Sequence, residues 1–120
     1  MSNERSGKRS RSKGKRAELE VVHKFHEYGF TDVRRSGDTG QVDGDLENTP
    51  DYTEVRRREQ LRIPAWVAEC RAESGDRDWV LITRRNNEDW IAVVDLDRYL
   101  ELLRVYERAK ELTEEAHQSL

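Results

Sequence analysis

A single cysteine, Cys70, leaves no partner for an intramolecular disulfide and suits a reducing compartment better than a secreted setting. No apolar run approaches the roughly 18 residues of a spanning helix, and the first residues lack the apolar stretch of a signal peptide. The expectation is a soluble cytoplasmic protein with no membrane partner. Apolar residues are themselves scarce, at 34% of the chain against 39% charged, and 120 residues suffice for one domain with a modest core. A core that small gains from a partner subunit.

Several familiar constellations are missing as well. Gly37, Gly40 and Gly44 are not followed by Gly-Lys-Ser/Thr and do not match the dinucleotide fingerprint, which argues against nucleotide binding. His23 and His26 lie three apart on a helical segment, but no second His or Cys pair completes a tetrahedral zinc set. No Ser/His/Asp spacing points to acyl transfer. Trp66, Trp79 and Trp90 each fall within an apolar pattern, so packing in a core or a dimer explains them better than stacking on bases.

What is abundant is charge, unevenly spread. Residues 1–16 carry Arg5, Lys8, Arg9, Arg11, Lys13, Lys15 and Arg16 against Glu4, so the remainder is far more acidic than the net charge of −3. Such an arm either lies along phosphates, releasing counterions, or is a solvated basic tail. With scarcely an apolar residue, 1–12 is expected to be a mobile arm, followed by a domain over 13–113 and a frayed tail over 114–120.

Periodicity orders the rest. Ala17, Val21, Phe25 and Tyr28 form one stripe of a helix starting at Ser12 or Lys13 and ended by Gly29. Phe30–Arg35 reads as a first short strand with Val33 inward, Gln41–Leu46 as a second and Tyr52–Arg57 as a third, the last two joined in a hairpin by Asn48-Thr49-Pro50-Asp51. Pro64 starts a helix that runs to about Glu73 with Cys70 on its apolar stripe, a packed small hydrophobe rather than a nucleophile. Trp79–Thr83 has the continuous apolar character of a central strand, and Trp90–Val94 gives a fifth. Asp95 is the expected N-cap of a last helix whose Leu96, Tyr99, Leu100, Leu103 and Tyr106 stripe is suited to docking on the sheet or on a second subunit. The order α-β-β-β-α-β-β-α predicts an α/β domain around a central mixed sheet of about five strands.

The densest chemistry lies between Ser36 and Arg58. On a strand, Glu54 and Arg56 share a face while Val55 points the other way, and a hairpin would bring Asp45 to Glu54. Two converging carboxylates suit a hard cation. Acid-x-base triplets abound in a chain this charged, so Asp45, Glu54 and Arg56 by themselves read more readily as turn chemistry plus a cross-strand ion pair on a solvated face. Glu18, on the first helix, reads as a surface acid or as a third carboxylate reaching the sheet.

The layout Gly14-x-x-x-Glu18, Arg35-Ser36-Gly37, Gly44-Asp45 and Glu54-Val55-Arg56-Arg57, followed by helix and strands, resembles the PD-(D/E)xK nuclease superfamily. Within it, the likeness is to the archaeal and phage Holliday junction resolvase-like endonucleases, over about Gly14 to Val94. The resemblance implies a restriction-endonuclease-like fold, with Glu18, Asp45 and Glu54 as ligands of Mg²⁺, or Mn²⁺ in its place. The family lysine falls on Arg56 and the loop serine on Ser36. Gly44 stands where the family has proline. The arginine is the weightier departure, because it stays charged and cannot act as a general base. The expected activity is Mg²⁺-dependent cutting of branched DNA by a homodimer, in a prokaryotic cell or phage-infected host. Lys8, Arg9, Arg11, Lys13, Lys15, Arg16, Arg34, Arg35, Arg57 and Arg58 would contact phosphates. The alternatives are a catalytically inactive DNA-binding protein of the same fold, and an interaction protein that uses the Leu96 to Tyr106 stripe.

Overall fold

A computed structural model describes residues 2–38 and 44–118, with side chains from residue 14 onward. Helix α1 (Ser2–Glu27) leads into strand β1 (Arg34–Arg35), a 3-10 turn (Ser36–Asp38) and strand β2 (Leu46–Glu47). Strand β3 (Tyr52–Arg57), helix α2 (Ile63–Glu73), strands β4 (Trp79–Arg84) and β5 (Ile91–Val93) and helix α3 (Leu96–Gln118) complete the chain. This is the expected order of elements in a mixed α/β protein. No helix among the described residues is long and apolar enough to cross a membrane.

α1 begins at Ser2, well before its apolar stripe, because Lys and Arg are good helix formers and isolated glycines such as Gly7 and Gly14 are tolerated. The side chains of Lys8, Arg9, Arg11 and Lys13 lie outside the described residues. The other end is closed by a Schellman motif. Gly29 adopts φ +93° and donates to the His26 carbonyl at 3.0 Å, while Phe30 donates to the Phe25 carbonyl at 2.9 Å. The Phe25 and Phe30 rings meet edge to face at 5.9 Å, the apolar contact that accompanies this cap.

The strands do not form the single five-stranded sheet expected from their pattern. β1 and β2 pair antiparallel (Arg34↔Glu47, Arg35↔Leu46), and β3, β4 and β5 form a separate sheet in that order. There β3 and β4 run parallel from Tyr52↔Trp79 to Arg57↔Arg84, with α2 as their crossover, and β5 returns antiparallel to β4. The expected hairpin between the second and third strands is replaced by a stitch at one residue. Asp45 donates its backbone N–H to the Thr53 carbonyl at 2.8 Å, and left-handed Gly44 (φ +80°) and Asn48 (φ 64°) turn the chain away on either side before a ladder can form. Residues 39–43, where the second strand was expected to begin, lie outside the described residues.

The β3-β4 pair is packed on both faces. Val55 joins Ala17, Val21, Val22, Val33 and Leu46 under α1, whereas Tyr52 and Leu81 join Trp66, Cys70 and Trp79 under α2. β4 accordingly alternates: Trp79, Leu81 and Thr83 are buried on the α2 side, and Val80 and Ile82 are only half-buried on the α1 side. The tryptophans serve packing, as their pattern suggested: Trp66 and Trp79 are buried, and Trp90 packs on the α1 cluster with the Arg84 guanidinium 5.0 Å from its ring centroid.

α3 departs from this arrangement. It contributes no buried residue, and its apolar stripe is exposed. Asp95 accepts the Tyr99 N–H through its backbone carbonyl at 3.0 Å, while its carboxylate pairs with Arg71 at 2.6 Å. The central anchor is therefore Leu81, which is 0% exposed. Leu81→Ala is expected to lower unfolding free energy by about 3 kcal/mol, from lost transfer energy and the residual cavity. Urea denaturation monitored by tryptophan fluorescence measures this loss.

Candidate active site

Alternation along β3 puts Tyr52, Glu54 and Arg56 on the face that α2 covers, and α2 presents Glu69 and Glu73 to them, one helical turn apart. The Tyr52 hydroxyl lies 2.9 Å from Glu54 Oε1 and bonds Glu73 Oε2. Arg56 Nη2 lies 3.2 Å from both Glu54 Oε2 and Glu69 Oε2. Asp45 enters from the bend before β2, held by its backbone bond to Thr53, with its Oδ2 accepting the Val55 N–H at 2.8 Å. A Cβ on Gly44 would lie 2.9 Å from the Thr53 carbonyl oxygen, so glycine is what lets Asp45 come this close to β3.

The carboxylates are held in an environment that resists their charge. Burial, then the charge of Asp45, pushes Glu54 up to about 7. Burial likewise raises Asp45, against the Val55 N–H bond and the Arg56 charge that lower it. Proton counting agrees. A phenol carries one proton, so Tyr52 can donate to only one of Glu54 and Glu73, and the other contact needs a carboxyl that donates to it. Glu54, protonated up to about neutrality, is the group able to do so. Its second oxygen, Oε2, is buried and takes no hydrogen bond, because the guanidinium 3.2 Å away is not aligned to donate.

Glu18 and Ser36 border this cluster. Glu18 Oε2 takes the Arg35 Nε–H at 2.7 Å; burial raises its pKa, the Arg35 bond lowers it, and Asp45 adds to the rise. Ser36 is buried, and its backbone N–H donates to the Asp45 carbonyl at 3.0 Å. Among the described residues, no three His, Cys, Asp or Glu side chains are grouped to hold a metal ion as they stand. The donor chemistry fits a hard cation that keeps several waters: two adjoining carboxylates, one with a buried oxygen lacking a hydrogen bond. His23 and His26 form no such set; His26 Nε2 sits 2.8 Å from the Val33 carbonyl.

Tyr52, Glu69 and Glu73 belong to the site and escaped the sequence reading. Tyr52 was legible from its i, i+2 relation to Glu54, but the two acids required knowing which face of α2 meets β3. The basic candidates divide. Arg34 is 62% exposed and pairs with Glu47, and Lys15, Arg16 and Arg58 are exposed. Arg35 is drawn into Glu18 and Asp38, and Arg57 into Glu20, which also takes Arg84.

No family model matches the chain, and neither a curated protein nor a solved structure is significantly similar to it.

Two outcomes follow from this geometry. Glu54 ionises near 4.5 when unfolded and near 7 in the fold, so the folded state binds the extra proton in that window and loses stability as pH rises from about 4.5 to about 7. Glu54→Gln is expected to stabilise the protein by roughly 2 kcal/mol at about pH 8 and by almost nothing at about pH 4, as read from urea melts at both values. Gly44→Ala is expected to destabilise by roughly 2 kcal/mol, from the positive φ and the contact with Thr53, with a matching drop in melting temperature.

Proposed function

We propose that this chain is a Mg²⁺-dependent endonuclease for branched DNA, with a restriction-endonuclease-like fold whose mixed sheet is divided at Asp45. The observation that carries the reading is the meeting of Asp45 and Glu54 beside Arg56, on elements in the order that the nuclease resemblance requires. Asp45 and Glu54 would hold the cation, with Glu18 behind them and Mn²⁺ as a substitute. The chemistry that the ion supplies when bound is acidification of a water and neutralisation of phosphate charge.

The chain's own residues supply the rest. Arg56 offers a permanent positive charge to the phosphate as negative charge builds on it, while Tyr52 and Glu69 fix the orientation of Glu54 and of Arg56. Lys15, Arg16, Arg34 and Arg58, together with the basic arm containing Lys8, Arg9, Arg11 and Lys13, grip the backbone. Arg35 and Arg57 would first have to exchange their carboxylate partners for phosphates. A cytoplasmic setting in a prokaryotic cell or an infected host goes with this reading.

A second reading has its own support. Arg56 already sits 3.2 Å from both Glu54 and Glu69, as expected of a fold that keeps DNA binding and has lost the chemistry. Labelled four-way junctions incubated with Mg²⁺ decide between them. The first reading expects cutting that chelation stops, that Asp45→Asn and Glu54→Ala abolish, and that Arg56→Ala slows on the order of 100-fold. No cleavage above the Glu54→Ala background at any salt concentration would sink it. Binding that falls steeply with salt, without cutting, would establish the second reading.

A further inference from the structure

Arg57 and Arg84 are cross-strand neighbours at the carboxyl ends of the parallel strands β3 and β4, the edge where open α/β sheets commonly receive ligands. Their guanidinium groups converge on one carboxylate of α1. Arg57 Nη1 lies 3.1 Å from Glu20 Oε1, and Arg84 Nη2 lies 3.0 Å from Glu20 Oε2. Two permanent positive charges thus meet a single negative one, and the trio stays net positive. The two cations do not owe their positions to Glu20. Arg84 sits over the Trp90 ring, 5.0 Å from its centroid, and its Nη1 donates to the Arg85 carbonyl at 3.3 Å, while Arg57 Nε donates to Asn86 Oδ1 at 3.4 Å. The Arg84 and Arg57 side chains are 12% and 25% exposed, whereas that of Glu20 is 40% exposed. Its carboxylate can therefore swing into water while the arginines stay in place.

The geometry points to a receptor for a terminal phosphate group, formed by Arg57 and Arg84 and plugged by Glu20 until the phosphate displaces it. Charge selects the ligand. A phosphodiester would only exchange one negative charge for another. A terminal phosphate carries nearly two at neutral pH and offers three acceptor oxygens, which suits two guanidinium groups that can each donate in pairs. Further cations stand exposed at the same end of the sheet: Arg58 follows β3, and Arg85, whose ion pair with Glu88 spans 3.8 Å, follows β4. They extend the positive surface toward whatever bears the phosphate. Arg57 and Arg84 face α1, on the opposite side of the sheet from Glu54, so the receptor stands independently of the metal chemistry read at Asp45 and Glu54.

Tryptophan fluorescence of the full chain, with Trp90 beneath Arg84 as reporter, tests this in excess chelator, where metal-dependent cutting plays no part. The probes are inorganic phosphate and short single-stranded oligonucleotides carrying a phosphate at either terminus or at neither. A phosphate-ended strand is expected to bind on the order of 10-fold tighter than the strand without one. Because partly exposed ion pairs are weak, Glu20→Gln is expected to tighten that binding by roughly 5-fold. Arg84→Gln is expected to abolish the preference, and Arg108→Gln, which removes the same charge from α3, to leave it intact, with circular dichroism showing that each variant keeps its fold. Inorganic phosphate that competes with the strand identifies the phosphate group alone as sufficient, and inorganic phosphate that does not compete identifies a strand end as the ligand. A response to inorganic phosphate with no preference among strands assigns the receptor to small phosphate compounds. No response to inorganic phosphate together with equal affinity for strands with and without the terminal group overturns the inference. So does a folded Glu20→Gln chain that binds the phosphate-bearing probe no tighter, the result expected if Glu20 were only a structural joint.

Discussion

The junction at Asp45 sets the relation between everything before β3 and everything after it. Its N–H reaches the Thr53 carbonyl and its carboxylate reaches the Val55 N–H, so one residue satisfies two backbone groups of β3 that no strand pairs on that side. Because the Asp45 carbonyl also receives the Ser36 N–H, this residue ties the small β1-β2 sheet to the larger one, beside the apolar packing of Val33 and Leu46 on Val55. A carboxylate used as a splice is held by structure whether or not it does chemistry. Its neighbour Glu54 gains no such backbone bond. Burial and the charge of Asp45 push Glu54 up to about 7 with no backbone donor to oppose them.

Much of the fold was legible because its signals are local. The 3.6 period of Ala17, Val21 and Phe25, the Pro64 start and the apolar run at Trp79 each name an element without reference to any other. Division of the strands into two sheets was not legible, since strand pairing depends on where the chain bends. The deciding features, positive φ at Gly44 and Asn48, leave only weak traces in the residue types. At the site, the strand period put Glu54 and Arg56 together and Val55 in the core, as read. Glu69 and Glu73 could not be found that way, because i, i+4 acids on a helix look the same whether they face water or a strand.

The unusual charge content has a structural use that composition hides. Arginine fills the joints: Arg35 ties β1 to α1, Arg57 and Arg84 share Glu20 of α1 across the ends of two parallel strands, and Arg98 ties α3 to Asp51 and Asp78. Most of these pairs are partly exposed, where each contributes about 1 kcal/mol or less. Their effect is on geometry, since a planar guanidinium with several donors can bridge two elements at a fixed angle. A small apolar core then needs only to hold the layers together, while the ion pairs set how they meet.

Cys70 illustrates how a silent residue can become informative. It is completely buried between α2 and the sheet, and burial, followed by the charge of Glu54, pushes its thiol up to about 12. In the folded state it is chemically inert to alkylation and to oxidants. As the chain's sole sulfhydryl, its rate of modification is set by how often α2 lifts from β3, which is also the motion that would bare Glu54 and Tyr52. The protein thus carries an intrinsic clock for the opening of its own carboxylate layer.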